Sequence, residues 1–268
     1  MLFRSKPVDV TPTTGYAIYT FKADTLETAG IREGTITIKE KDGDDVTPVT
    51  IAVTQERTNG GVPVCTGKWL FDNADDLYTS IEGSAQLIPC KIGANNTTPT
   101  MYESPADATV EVIEEGITLR KASCFKLKLD EEENLSNYTI TYDIRIHNHA
   151  WRNLIQQNLN NNTDGGLYIN KTGTIGINVG GLGYSGSVPT NEWFRVMLVV
   201  KEGYAHVYIN GEYIKSSTSS NNIWLMDKTG AYLFCDNNGE INDLDIKGLY
   251  FWNKALTDEQ IAAMGAIE

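Results

Sequence analysis

With 268 residues, 41% of them hydrophobic, and a formal charge of −13, the chain can bury a substantial core and divides naturally into one large domain and a small one. The acidity leaves no basic stripe, which argues against nucleic acid and against an anionic membrane surface as partners; its plainest consequence is solubility. No run approaches the ~18 apolar residues of a membrane span, and the opening MLFRSKPVDV lacks the apolar core of a secretory signal, so targeting information is expected to lie outside this sequence.

Residues 16–55 form the first block. Three strands are expected in it, Tyr16–Ala23, Gly34–Lys39 and Val49–Gln55, joined by polar turns such as Lys41-Asp42-Gly43-Asp44-Asp45. The central REGTITI and the closing VTIAVTQ resemble the second half of a BACON domain, a small immunoglobulin-like module often found beside carbohydrate-active domains. The resemblance implies a partial module over 1–56 cut from a longer parent. A plain β hairpin is the alternative. A linker, 57–67, follows with Gly60-Gly61 and Pro63 as breakers.

A large domain is expected over 68–268, opening with WLFDNADDLY. Its expected strands are Gln86–Lys91, Ala108–Val112, Gly116–Arg120, Ser123–Leu129, Tyr138–Ile146, Leu154–Asn158, Gly166–Asn170 and Thr174–Val179. In the fifth, Tyr138, Ile140, Tyr142, Ile144 and Ile146 alternate with polar residues, a one-sided pattern. From Glu192 the signals sharpen. Phe194, Val196, Leu198 and Val200 share one face of a strand whose other face carries Trp193, Arg195, Met197 and Val199, so this strand belongs inside a layered structure. Asn210-Gly211 supplies the two positive-φ positions of a type I′ turn between Tyr204–Ile209 and Glu212–Lys215. T-D-E-Q from Thr257 is a capping box, Leu256 and Ile261 stand where a hydrophobic staple needs them, and Gly265 can end the helix.

The matching residues Glu192-Trp193, Val207–Gly211, Ile241–Tyr250 and Asn253–Ile261 resemble the C-terminal half of a laminin G-like, or concanavalin A-like, lectin/glucanase domain. The resemblance implies an all-β fold, a two-sheet antiparallel jelly-roll sandwich preceded by the small N-terminal β segment. Such jelly rolls also host hydrolases that place carboxylates as E-x-D-x-x-E along one strand, about 5.5 Å apart across the sugar bond. No such motif is present. The nearest approach, Glu240, Asn242, Asp243 and Asp245, is broken by Asn242, and the consecutive acids Asp130–Glu133 cannot converge on one atom. His147 and His149 would share a strand face about 7 Å apart, without an evident third metal ligand.

The resemblance also implies a possible Ca²⁺ site. If first and last strands are neighbours, Asp72, Asn73, Asp75 and Asp76 approach Asn242 and Asp243, oxygen donors suited to a hard cation. For a glycan, aromatic faces and planar amides are the needed types, and Trp151, Arg152, Asn153, Gln156, Tyr168, Asn178 and Tyr184 supply them. Trp193, Trp224, Trp252 and His206 with its neighbours Tyr204 and Tyr208 are assigned to packing. Cys65, Cys90, Cys124 and Cys235 show no C-x-x-C spacing; buried thiols are expected, with one bridge, Cys65 to Cys90, left open. The reading that follows is a monomeric, non-catalytic, extracytoplasmic module, secreted or surface-anchored, that binds a glycan or other surface ligand. A glycoside hydrolase or lyase, or a protein–protein adhesion module, are the rivals.

Overall fold

The computed structural model describes residues 30–38, 49–57, 61–92, 99–101, 110–121, 123–157, 165–177, 180–218, 222–236 and 239–267. The chain divides into two compact units, Met1–Val64 and Cys65–Glu268. In the first, β1 (Gly30–Ile38) and β2 (Val49–Arg57) pair antiparallel without a register break, from Gly30 opposite Arg57 to Ile38 opposite Val49. The two expected strands are therefore there, with β1 starting earlier than the sequence pattern indicates. The third, Tyr16–Ala23, lies outside the described residues.

The second unit is a sandwich of two antiparallel sheets. Its strands are β3 (Gly67–Trp69), β4 (Glu82–Gly83), β5 (Gln86–Ile92), β6 (Pro99–Met101), β7 (Val110–Ile113), β8 (Gly116–Leu119), β9 (Ser123–Lys128), β10 (Tyr138–Arg145), β11 (Arg152–Gln156) and β12 (Gly166–Ile169). They continue with β13 (Ile175–Ile177), β14 (Gly183–Ser185), β15 (Trp193–Lys201), β16 (Tyr204–Ile209), β17 (Glu212–Ser216), β18 (Gly230–Leu233) and β19 (Leu244–Trp252). One helix, α1 (Asp258–Met264), closes the described part. The first sheet runs β17-β16-β15-β10-β19, beyond which β3-β4 and β8-β7 share the far side of β19; the second runs β14-β13-β12-β11-β18-β9-β5-β6. First and last strands of the unit are neighbours, with Trp69 opposite Leu249.

Period-2 alternation fills the space between the sheets. Tyr138, Ile140, Tyr142 and Ile144 of β10 meet Phe194, Val196, Leu198 and Val200 of β15 and Phe125, Leu127 and Leu233 of the second sheet in one continuous core. Phe125 touches Phe71, Tyr78 and Phe234 at centroid distances of 6.1–6.2 Å.

The one-sided pattern expected of β10 is not what forms. Thr139, Thr141 and Asp143 on its outer face are as buried as the core residues, because the chain after β19 folds back over the outside of the first sheet. Thr139 Oγ1 donates to the Lys254 carbonyl (3.1 Å) and accepts from the Leu256 amide (3.0 Å). α1 then lies on this face, its start fixed as expected: Thr257 Oγ1 accepts from the Gln260 amide, Gln260 Oε1 accepts from the Thr257 amide, and Leu256 and Ile261 are buried beneath. Its end is fixed by Arg195, whose guanidinium donates to the Met264 carbonyl and, through Nε and Nη2, to both oxygens of Asp143 at 2.7 Å.

All four cysteines are thiols in the structure. The bridge left open between Cys65 and Cys90 is contradicted: Cys65 precedes β3 beside Glu82, in the first sheet, whereas Cys90 belongs to the second sheet and packs with Cys124 and Cys235.

Candidate ligand-binding groove

The expected glycan face around Trp151 is largely closed. Arg152 is 2% exposed, its guanidinium donating to the Asn148 carbonyl and Oδ1 and to the Asp243 carbonyl at 2.8–3.0 Å. Asn153 is equally buried and donates to the Ile155 carbonyl; Gln156 is fully buried; the Tyr168 hydroxyl donates to Asp236 Oδ1 at 3.1 Å. These four side chains are removed from any surface a sugar can reach; residues 240–243 run alongside β11, where the Asn153 amide donates to the Glu240 carbonyl and Asn242 Nδ2 to that of Trp151. Trp151 and Tyr184 stay half-buried, packed edge to face at 5.7 Å against the core. Burial pushes the Tyr184 phenol up. Asn178 lies outside the described residues.

The oxygen donors expected for calcium are not brought together. Asp72 lines a cavity of about 440 Å³ with Glu114, Gly116, Lys247 and Tyr250, at the start of β8. Asp243 lies past the other end of that strand, about 13 Å away at the rise of an extended chain. Its carboxylate is already engaged, Oδ1 by the Lys121 amide (2.6 Å) and Oδ2 by Arg120 (3.1 Å). Those bonds and the neighbouring Arg152 hold it below the usual carboxylate range, against the opposing effect of partial burial. Asp76 accepts from the Thr79 amide, Asn73 from the Asp75 amide. With Asp72 at one end of β8 and Asp243 past the other, Asp72, Asp76, Asn242 and Asp243 do not fit one calcium site.

Nor do the histidines or acids converge. His147 lies between Asp245 Oδ2 (3.1 Å) and Asn191 Oδ1 (3.2 Å), while His149 Nε2 faces the Val188 carbonyl. Asp245, buried, is taken by Thr118, Arg145 and His147, whereas Asp243 turns to Arg120.

An open groove lies elsewhere, on the outer face of the first sheet, between the β16–β17 hairpin and the start of α1. Alternation sends Ala205, Val207 and Ile209 inward and Tyr204, His206 and Tyr208 outward. The I′ turn forms as expected, with φ of 52° at Asn210 and 81° at Gly211, and its register sets Tyr213 directly opposite Tyr208. The two rings meet edge to face at 5.6 Å, and Tyr213 is 58% exposed. With Val199, Lys201, Thr257, Asp258 and Glu259 they enclose about 660 Å³.

The polar groups of this groove are neutral donors and acceptors beside Lys201 and two carboxylates. Tyr213 donates to Ser216 Oγ (2.8 Å), which lies 2.6 Å from His206 Nδ1. Burial, helped by Lys201, lowers the His206 pKa, so the ring is neutral near pH 7. With Ser216 accepting from Tyr213 and donating to Nδ1, the ring proton is assigned to Nε2. Tyr208 is pushed up to about 12 by burial and the Asp258 carboxylate, to which its hydroxyl donates. Asp258 and Glu259 are successive residues of a helical first turn and diverge. They cannot flank a common bond. Sequence reasoning placed His206, Tyr204 and Tyr208 in packing; the signal that could have found the groove is the turn register, which puts Tyr213 across from Tyr208 on a face the capped helix only partly covers.

A profile described as the concanavalin A-like lectin/glucanases superfamily matches residues 126–262. No curated protein sequence matches. Among solved structures, the sialidase of Trypanosoma rangeli bound to 2,3-difluorosialic acid is similar with a TM-score of 0.51 and 14% identity, over 78% of this chain and 33% of that one. Domain 4 of AbnA, an extracellular arabinanase from Geobacillus stearothermophilus, in complex with arabinotriose, gives 0.47 and 15% identity over 75% of this chain and 98% of that domain. The binding domain of botulinum neurotoxin serotype D/C gives 0.47 and 16% over 74% and 50%. The chain spans about a third of the sialidases it matches, and at these identities the likeness is one of fold. The two antiparallel sheets and a profile match over more than half of the sequence make the chain a member of the concanavalin A-like lectin/glucanases superfamily.

Proposed function

We propose that Cys65–Glu268 is a carbohydrate-binding module whose ligand lies in the groove between β16–β17 and α1. The observation that carries this is Tyr213: a phenol ring left 58% exposed beside Tyr208, over a 660 Å³ groove. An exposed aromatic face stacks on the C–H face of a sugar ring, and the His206 Nε2–H, Lys201, Asp258 and Glu259 can fix hydroxyls around it. The reading is of binding without cleavage: the two carboxylates diverge on α1 and do not form the acid–base pair that most glycoside hydrolases use. The reading includes an extracytoplasmic location, where polysaccharide is available to be bound.

Retardation in native gels cast with a panel of polysaccharides, and a glycan array, test it, each with and without added Ca²⁺. The folded protein should be retarded by at least one polysaccharide, release no reducing ends from it, and lose about tenfold in affinity on Tyr213→Ala. Retardation by none, or unchanged binding of the Tyr213→Ala protein, removes the groove as a sugar site. Release of reducing ends would establish the hydrolase reading in its place.

A further inference from the structure

The outer face of the second sheet carries a small cluster separate from the main core: Cys90, Cys124, Cys235 and Ile241, with Tyr232 packed against them. The three cysteines are 0–1% exposed. Two features of the chain put them there. Cys90 and Cys124 are direct cross-strand partners in the β5–β9 ladder, and directly opposed antiparallel residues hold their Cα atoms about 4.5–5.5 Å apart, within the span a disulfide bridges. Cys235 arrives differently. Phe234 adopts a φ of 58°, the left-handed region that a bulky residue avoids, and so drives its ring into the core against Phe125 and Tyr142. The next residue is thereby delivered to the outer side, against Cys124.

We infer that these three residues form a disulfide site in which Cys124 is the common partner of Cys90 and of Cys235, with a small-molecule disulfide as oxidant. Geometry gives Cys124 that role, since it alone has a cross-strand thiol on one side and the Phe234-delivered thiol on the other. Its thiol is held protonated by hydrogen bonds with Cys235 and then Cys90 and by burial, while the Cys90 sulfur, receiving the Cys124 hydrogen bond beside Lys126, is shifted down toward the thiolate. In the first step the Cys90 thiolate attacks one sulfur of the oxidant RSSR; the RS–SR bond breaks, and RS⁻ leaves and is protonated to RSH. Cys124 then gives up its proton and attacks the Cys90 sulfur, expelling the second RS⁻, which also leaves as RSH. The protein loses two electrons and two protons, and RSSR is reduced to two RSH. Cys235 can in turn give up its proton and attack the Cys124 sulfur, freeing Cys90, which takes up a proton, and moving the bridge without net oxidation.

Cys65 provides an internal control. It stands beside Glu82 and Lys68, and burial together with the Glu82 carboxylate pushes its thiol up to about 12.

The test is to refold the full chain from the reduced, denatured state in a buffer of reduced and oxidised glutathione, so that the oxidant reaches the thiols as β5 and β9 pair and before they are covered. Thiols are then alkylated under denaturing conditions and peptides mapped. The expected product has lost two of its four alkylatable thiols and two hydrogens of mass, every bridged peptide contains Cys124, and Cys65 is alkylated. Cys90→Ala should give Cys124–Cys235, Cys235→Ala should give Cys90–Cys124, Cys124→Ala should give no bridge, and Cys65→Ser should change nothing. A natively folded product with four alkylatable thiols overturns the inference, as does a bridge formed in Cys124→Ala; circular dichroism of each variant shows which of them have folded.

Discussion

Replacing Asp143 by Ala tests how the last turn of the chain is held against the first sheet. Asp143 is 3% exposed and Arg195 9%, and the carboxylate takes two hydrogen bonds of 2.7 Å from that one guanidinium. The variant leaves a buried cation with the Met264 carbonyl and the face of Tyr250, 5.7 Å from the guanidinium carbon, as its neighbours. Removing one member of a buried pair costs about 3–5 kcal/mol, because the other charge stays desolvated. For a unit of this size, at about 2–4 °C per kcal/mol, the melting midpoint should fall by about 6–20 °C. Urea unfolding followed by tryptophan fluorescence should show a lower midpoint at unchanged slope. The partner experiment replaces both groups by apolar ones of similar volume, Asp143→Leu with Arg195→Met, and should recover most of the loss. A single-variant loss below about 1 kcal/mol would place the pair in the class of solvent-screened surface bridges and refute the argument. A double variant as unstable as the single would show that the charge was not the source of the cost. Because Arg195 also holds the end of α1, which walls the groove, the single variant should weaken polysaccharide retardation as well.

Two further outcomes follow from the groove and its frame. Gly211→Ala should destabilise the unit by about 1–2 kcal/mol in the same urea assay, since the residue sits at a φ of 81° and a Cβ there would stand 3.1 Å from the Gly265 Cα. A loss of a few tenths would mean the hairpin tip shifts freely. His206 gives a pH dependence of defined sign. Its folded pKa is depressed, first by burial and then by Lys201 with Asp258 opposing, so the unfolded chain binds the proton more readily; the contribution is complete above the unfolded value of about 6.5 and is lost as pH falls through that value toward the folded one. Stability measured between pH 7 and pH 5 should therefore fall less steeply in His206→Gln than in the parent, and parallel curves would exclude His206 as a contributor.

The parts legible in the sequence are those decided by near neighbours. The Asn210-Gly211 turn needs two positive φ values and these residue types supply them; the Thr257–Gln260 box closes within one helical turn; the alternation of Phe125, Leu127 and Leu129 against Cys124, Lys126 and Lys128 gives the two faces of β9 directly. What alternation does not give is which outward face another segment will cover. Thr139 and Thr141 look solvated and are buried, because residues 254–256 and α1, more than a hundred positions later, lie over them. Arg152, Asn153 and Tyr168 carry the donor and aromatic types of a sugar site and are consumed by Asn148, Ile155 and Asp236 inside the fold. Residue type alone could not separate these from Tyr213, whose ring stays out.

The return of the chain after β19 accounts both for the burial of Thr139 and for the position of the groove. A two-sheet sandwich leaves its outer faces to be covered or used, and this protein does each in turn along one surface. The segment after β19 covers Thr139 with residues 254–256; where it enters α1, the start of the helix forms the groove with Val199, Tyr208 and Tyr213. The groove is thus a product of the last dozen residues meeting a hairpin some fifty positions earlier, and its two walls are fastened by different means. The hairpin is fixed by its own turn, whereas α1 is fixed by a capping box at one end and by the Asp143–Arg195 pair at the other. Loss of the pair should therefore open the helical wall and leave Tyr208 and Tyr213 in place, lowering affinity with little change in which polysaccharides are preferred, while loss of Tyr213 should remove the stacking face from an intact groove.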